Sequence, residues 1–138
     1  MILEEPKWLP INQIIDPAGS LRVLELPFEA KRTYFIQNVP KGSQRGFHAH
    51  RSLRQIFFAP QGRFEIELIT CKSKKSFLLN SNDQRALIVP PGYWRVISSF
   101  SKDATCMVLA SEHYMESDYI RSFDDYVSWC KENFRNES

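Results

Sequence analysis

The chain has 138 residues, 43% hydrophobic and 25% charged, which is enough for one domain with a real core and too few to argue for two. Eighteen basic against sixteen acidic residues leave a net charge of +2 with no run of five like charges, so a nucleic-acid or membrane-surface footprint is excluded. No apolar run approaches the roughly 20 residues of a membrane span.

The opening "MILEEPKWLP" is acidic and proline-containing, without the basic and apolar regions of a secretory signal. Cys71, Cys106 and Cys130 are odd in number and far apart, which fits neither a disulfide framework nor a zinc site and points to reduced thiols in the cytoplasm. From "LRVLEL" onward, short runs rich in β-branched and aromatic residues follow one another: "RTYFIQNV", "RQIFFAP", "RFEIELITC", "KSFLLN", "RALIVP", "YWRVISSF" and "TCMVLASE". Turn-forming clusters separate them, among them Asp16-Pro17-Ala18-Gly19, Pro60-Gln61-Gly62 and Asn80-Ser81-Asn82-Asp83. In "RFEIELI" the residues Phe64, Ile66 and Leu68 share one face, and Arg63, Glu65 and Glu67 share the other, as a half-buried strand requires. The basic "CKSKKS" after it reads as a solvated hairpin tip. Near Asp118 the spacing changes: Tyr119, Phe123, Tyr126, Val127 and Cys130 recur at threes and fours. This predicts a terminal helix over about 118–134, with Ser122 and Asp125 near its start and 135–138 frayed. The expectation is one all-β domain spanning 1–138, a sandwich or small barrel closed by a C-terminal helix.

The stretch "GSQRGFHAHRSLRQIFFAPQG" holds Gly42, His48, His50, Gln55 and Gly62 at the spacing of the first cupin motif, in which a glycine pair frames two histidines and a glutamate around a metal. Gln55 stands where the acidic ligand belongs. "PPGYWR" resembles the second cupin motif, with Arg95 in place of its third histidine. An amide and a guanidinium without a lone pair thus replace two of the ligands, and no metal is expected. Residues i and i+2 of a strand share a face, so His48 and His50 point into the barrel together, where neutral imidazoles can move protons. Arg45 and Arg95 beside them suit an anionic ligand, because the guanidinium fork fits phosphate. A lone histidine is usually structural, but this clustering marks a candidate acid–base site.

Four segments together resemble one cupin family, the sugar nucleotide 3,4-ketoisomerases of bacterial deoxyamino-sugar synthesis. They are "DPAGSL" with "LPFEAKRTYFI", "RGFHAHRSLRQ", "IVPPGYWR" and "MVLASEHYMESDYIRSFDDY". The resemblance implies a cupin jelly roll that forms a homodimer, with exchanged N-terminal strands, and a reaction without metal or organic cofactor. The implied substrate is dTDP-4-keto-6-deoxyglucose. A proton leaves C3, an enediol forms, and a proton returns at C4. By position His48 matches the principal catalytic histidine, His50 its partner, and Tyr34 a tyrosine close to the sugar. Arg32 and Arg45 match arginines of the diphosphate site or wall, and Gln55 would hydrogen-bond an imidazole or the sugar. Core or surface roles are the alternatives for Tyr34, Arg32, Arg45 and Gln55. Arg95 resembles the type yielding the gluco product, although Ala18 departs from the aromatic residue that type carries before the N-terminal glycine. Trp8, Trp94 and Trp129 read as packing residues, with a part in shaping the pocket as the alternative for Trp94, and His113 reads as structural. A PLP-dependent aminotransferase is the implied pathway neighbour, and a surface glycan the destination. The competing readings are a dTDP-sugar 3,5-epimerase, a metal-dependent cupin such as a dioxygenase, and a nucleotide-sugar-binding cupin without turnover.

Overall fold

Alternating burial organises the chain as a stack of two sheets. The computed structural model describes residues 2–134. In chain order its strands are β1 (Lys7–Pro10), β2 (Asn12–Asp16), β3 (Gly19–Val23), β4 (Arg32–Gln37), β5 (Arg45–His50), β6 (Gln55–Gln61) and β7 (Arg63–Ile69). There follow β8 (Lys74–Asn80), β9 (Arg85–Val89), β10 (Trp94–Ser98), β11 (Thr105–Ala110), the short β12 (Tyr119–Ile120) and helix α1 (Phe123–Asn133). One five-stranded sheet has the order β1-β9-β6-β11-β4, and the other β12-β5-β10-β7-β8. From β4 to β7 and again from β8 to β12, successive strands change sheet at every step, which is the jelly-roll arrangement of cupins.

Phe57, Leu87, Val89 and Val108 from the first sheet meet Phe64, Ile66, Leu68, Leu79 and Ile97 from the second, all buried. The alternation read in "RFEIELI" is therefore the inner face of β7, with Arg63 and Glu65 exposed. At the corner between β6 and β7, Gly62 takes φ +74, and a Cβ there would lie 2.6 Å from Ser101 Oγ and 2.8 Å from Ala104 Cα. Only glycine lets the chain pass so sharply from one sheet to the other.

Helix α1 covers the outer face of the second sheet, where Tyr126, Cys130 and Phe134 bury Ala49, Trp94 and Ile120. Ser122 caps it, its side chain accepting from the Asp125 backbone N–H. The helix begins at Phe123 and not near 118, because Tyr119 and Ile120 pair with His50 and Ala49 as an edge strand. The register, not the three-four spacing, decides those residues. Trp94 belongs to this outer cluster, so it supports the helix and does not shape the cavity described below. The expected fraying of 135–138 lies outside the described residues.

Strands β1 and β12 escape the periodicity because each is short and β1 ends in proline, and β2 escapes it because its residues are nearly all exposed and leave no buried face to alternate. β2 and β3 form a hairpin of their own, turned at Asp16, whose side chain accepts from the Ala18 N–H at 2.8 Å. Ile14, Ile15 and Leu21 stand exposed on it. Among the described residues no helix is long and apolar enough to cross a membrane.

The Tyr126 hydroxyl lies 2.7 Å from the Gly92 carbonyl and 2.9 Å from that of Ile69, tying α1 to the sheet beneath it. Tyr126→Phe leaves the ring packing but removes this donor, and stability should fall by about 1–3 kcal/mol. Chemical denaturation measures it; an unchanged stability would contradict the tie.

Candidate active site

The site is built on an irregularity in β5. Opposite β10, His48 pairs with Arg95 and Gly46 with Val96, so Phe47 is an extra residue and the strand bulges. Gly46 has φ +101 and Phe47 φ +58, both left-handed. A Cβ at Gly46 would come within 2.8 Å of the Arg95 carbonyl oxygen, which reserves that position for glycine. The bulge turns the Gly46 carbonyl to within 3.0 Å of His48 Nδ1. A carbonyl can only accept, so Nδ1 carries the hydrogen and Nε2 keeps the lone pair.

His48 lines a cavity of about 360 Å³ together with Arg32, Tyr34, Arg45, Arg95, Tyr119 and Arg121. His50 is fully buried behind it, the two rings meeting edge to face with centroids 4.9 Å apart. Its Nδ1 lies 2.8 Å from Asp118 Oδ2. The other oxygen of that carboxylate accepts from Ser52 N at 2.7 Å and Ser52 Oγ at 2.9 Å. The Tyr119 ring closes the cluster, 4.4 Å from the His50 ring and 5.1 Å from that of His48.

Four arginines and no carboxylate line the cavity among the described residues. Arg95 is 1% exposed, donates to the Gln55 side-chain oxygen and, at 3.1 Å, to the Tyr93 carbonyl, and leaves Nε without a partner. Burial pulls its pKa down to about 10, so it remains a cation at neutral pH. Gln55 Nε2 donates to the Tyr34 hydroxyl at 2.9 Å, so the amide joins Tyr34 to Arg95. Burial raises the Tyr34 pKa and keeps the phenol protonated. Arg121 lies over the Tyr119 ring at 4.2 Å and is held at the rim by Glu116, with contacts of 2.7 and 2.9 Å.

Burial first, then the Arg95 charge and the His50 ring, lower the His48 pKa to about 3. Burial likewise lowers that of His50 to about 4, against the hydrogen bond to Asp118. Burial pushes Asp118 up, but the bonds from His50 and Ser52 outweigh it and hold its carboxyl at about 2. At neutral pH the site therefore contains two neutral imidazoles, an ionised Asp118 and a buried guanidinium.

Of the residues singled out in the sequence, Tyr34, Arg32, Arg45, His48 and Arg95 line the cavity, whereas His50 and Gln55 lie behind its wall. The Gln55 amide is engaged by Tyr34 and Arg95 and not by an imidazole, one of the two partners expected for it. Asp118, Tyr119 and Arg121 were not singled out. The signal was their place in "LASEHYMESDYIR", whose role the helical spacing hid.

Between their ordinary 6.5 and the lowered values, both histidines bind fewer protons folded than unfolded. Stability is thus full above about 6.5 and falls as pH drops toward about 4 and then 3. The thermal midpoint should fall on going from about pH 7 to about pH 5, and less steeply in His50→Asn. Calorimetry across that range measures it, and equal slopes would contradict these shifts.

The family described as "WxcM-like, C-terminal" (FdtA) matches residues 4–131. A protein of Aneurinibacillus thermoaerophilus named TDP-4-oxo-6-deoxy-alpha-D-glucose-3,4-oxoisomerase is 36% identical over 96% of this chain and 99% of its own. Among solved structures, a histidine-to-asparagine variant of the 3,4-ketoisomerase QdtA from Thermoanaerobacterium thermosaccharolyticum, in complex with TDP-4-keto-6-deoxyglucose, superposes with a TM-score of 0.89. It is 33% identical over 96% of this chain and 99% of that one. The TDP-quinovose 3,4-ketoisomerase WlaRB of Campylobacter jejuni gives 0.83 at 34% identity, over 91% of this chain and 99% of that one. Given the family match over nearly the whole length and these relatives, the chain belongs to the FdtA family of 3,4-ketoisomerases, isomerases built on the cupin fold.

Proposed function

We propose that this chain converts dTDP-4-keto-6-deoxy-D-glucose to dTDP-3-keto-6-deoxy-D-glucose, with His48 as the base. The observation that carries the reading is the pairing of a neutral imidazole, its Nε2 free of hydrogen, with a buried guanidinium at the directly opposed position in the sheet. His48 Nε2 takes the proton from C3, and the C–H electrons become the C3–C4 double bond as negative charge moves onto the C4 oxygen. Arg95 stabilises that charge; a fixed donor in a dry site needs no reorganisation as the charge appears. Return of the proton from His48 to C4, with transfer of the C3 hydroxyl proton to the C4 oxygen, leaves a ketone at C3 and a hydroxyl at C4.

The depressed pKa of His48 is consistent with this work. Burial and then the Arg95 charge penalise its imidazolium, whereas in the reaction an enediolate forms beside both cations. Tyr34, held by Gln55, lies at the sugar as proton donor or acceptor to a ring oxygen, and His50 backs His48. Arg32, whose buried Nε lacks a partner, and Arg45 bind the diphosphate. Arg95 directs the proton to the C4 face giving the gluco configuration, as the name of the quinovose relative supports. The reaction takes neither metal nor organic cofactor, and the 3-keto product goes to a PLP-dependent aminotransferase in the cytoplasm, toward an aminodideoxyhexose of a surface glycan.

The working unit is a homodimer in which the N-terminal strands pack on a second copy. Ile15 is 75% exposed on a hairpin that belongs to neither main sheet, an apolar surface that a partner would cover.

Proton NMR of the dTDP-4-keto sugar with chelator-treated protein in deuterated buffer tests the reaction. The ketone should move to C3 with gluco coupling at C4; exchange without migration would indicate an epimerase, and no change a binding protein. His48→Asn should lower kcat by about 10² to 10⁴, the usual cost of losing a general base. Undiminished turnover would remove His48 from that role. Arg95→His should shift the C4 configuration of the product toward galacto, and an unchanged ratio would remove Arg95 from the control of stereochemistry.

A further inference from the structure

We propose that Asp118 is a positioning residue for this reaction, holding His50 in the tautomer that leaves its Nε2 as a bare acceptor inside the site. The inference rests on the functional reading above and adds to it a residue that no histidine motif contains. Four features of the chain converge on it.

The carboxylate is fully engaged and cannot turn. Oδ1 accepts from Ser52 N and Oγ, and Oδ2 faces His50 Nδ1 at 2.8 Å. The backbone around it is clamped as well: Arg51 N donates to the Asp118 carbonyl at 2.9 Å, and the Arg51 guanidinium donates to the Ser117 and Tyr119 carbonyls, each at 2.8 Å. The next residue, Tyr119, pairs with His50 in the sheet. Two segments distant in sequence are thus joined at the one place that fixes a ring orientation.

An ionised carboxylate has only lone pairs, so the hydrogen of neutral His50 sits on Nδ1. Its Nε2 is then an acceptor, and that nitrogen is buried without any partner among the described residues. A buried acceptor left unpaired is costly, and such cost is retained where a group must be ready for a proton that arrives during work. The two rings meet edge to face with centroids 4.9 Å apart, so that bare acceptor belongs to the ring packed directly against the reacting base. A protonated His48 is then packed against a neutral ring with a free lone pair, not against a second N–H donor.

Asp118→Asn separates this role from packing. Ser52 N is a donor and requires the amide oxygen on its side, which puts the amide NH₂ against His50 Nδ1. A donor there drives the hydrogen to Nε2, and an isosteric change thereby inverts the tautomer. The variant should lose about 10²-fold in kcat with KM little changed, since the substrate contacts are intact. Nitrogen-15 NMR should show His50 protonated on Nδ1 in the wild type and on Nε2 in the variant.

Wild-type kcat in a folded Asp118→Asn protein would overturn the proposal, as would an equal loss in binding with kcat retained. If the variant does not fold, the wild-type spectrum decides: hydrogen on Nδ1 of His50 sustains the proposal and hydrogen on Nε2 overturns it. A wild-type protein that does not convert the dTDP-sugar would refute the functional reading, while the same spectrum would still test what Asp118 does to His50.

Discussion

Arg95 brings its charge to the inside of the barrel and finds only neutral oxygens there, those of Gln55 and the Tyr93 carbonyl. Removing a guanidinium from water without a carboxylate partner is costly, and the remaining structure is arranged to hold it. β10 presents it in register with His48, Gln55 at the start of β6 accepts from it, and Tyr34 on β4 supports Gln55 in turn. Four strands from both sheets therefore meet around one cation. The same charge, added to burial, keeps His48 neutral. The electrostatics of His48 and of the guanidinium opposite it are one arrangement.

That arrangement is held by local strain. Phe47, a bulky residue in the left-handed region, costs about 1–3 kcal/mol, which the surrounding sheet must offset. In return the bulge sets the Gly46 carbonyl against His48 Nδ1 and so selects its tautomer. His50, at the regular end of the strand, has no such carbonyl and takes its orientation from Asp118. Two histidines on one strand are thus oriented by two different devices, one from the bulge and one from across the sheet edge.

Much of this frame was legible in the sequence. The alternation of Phe64, Ile66 and Leu68 marked the core face of β7, and Ser122 with Asp125 marked the helix cap. The spacing of Gly42, His48, His50 and Gly62 and the Arg95 of the second motif pointed to the candidate site, where the fold sets His48 and Arg95 opposite each other. What was hidden depends on pairing rather than on pattern. Nothing in "GFHAH" announces that Phe47 is the extra residue, because a bulge is defined by the opposite strand. Tyr119 obeys helical spacing and yet, with Ile120, forms a strand edge, since only the fold brings β5 beside them. Asp118 and the partners of Gln55 were missed for the same reason: each acts across the sheets, and single-sequence spacing carries no such distance.

The most direct test of the account is the protonation state of His48 in the unliganded protein, followed by nitrogen-15 NMR as pH is lowered. Burial and the neighbouring guanidinium predict a neutral ring at neutral pH that gains its second proton only near about 3, and the bulge predicts its hydrogen on Nδ1. Titration near the ordinary 6.5, or a hydrogen on Nε2, would contradict the claim that burial, Arg95 and the β5 bulge together prepare this histidine for the base role proposed for it.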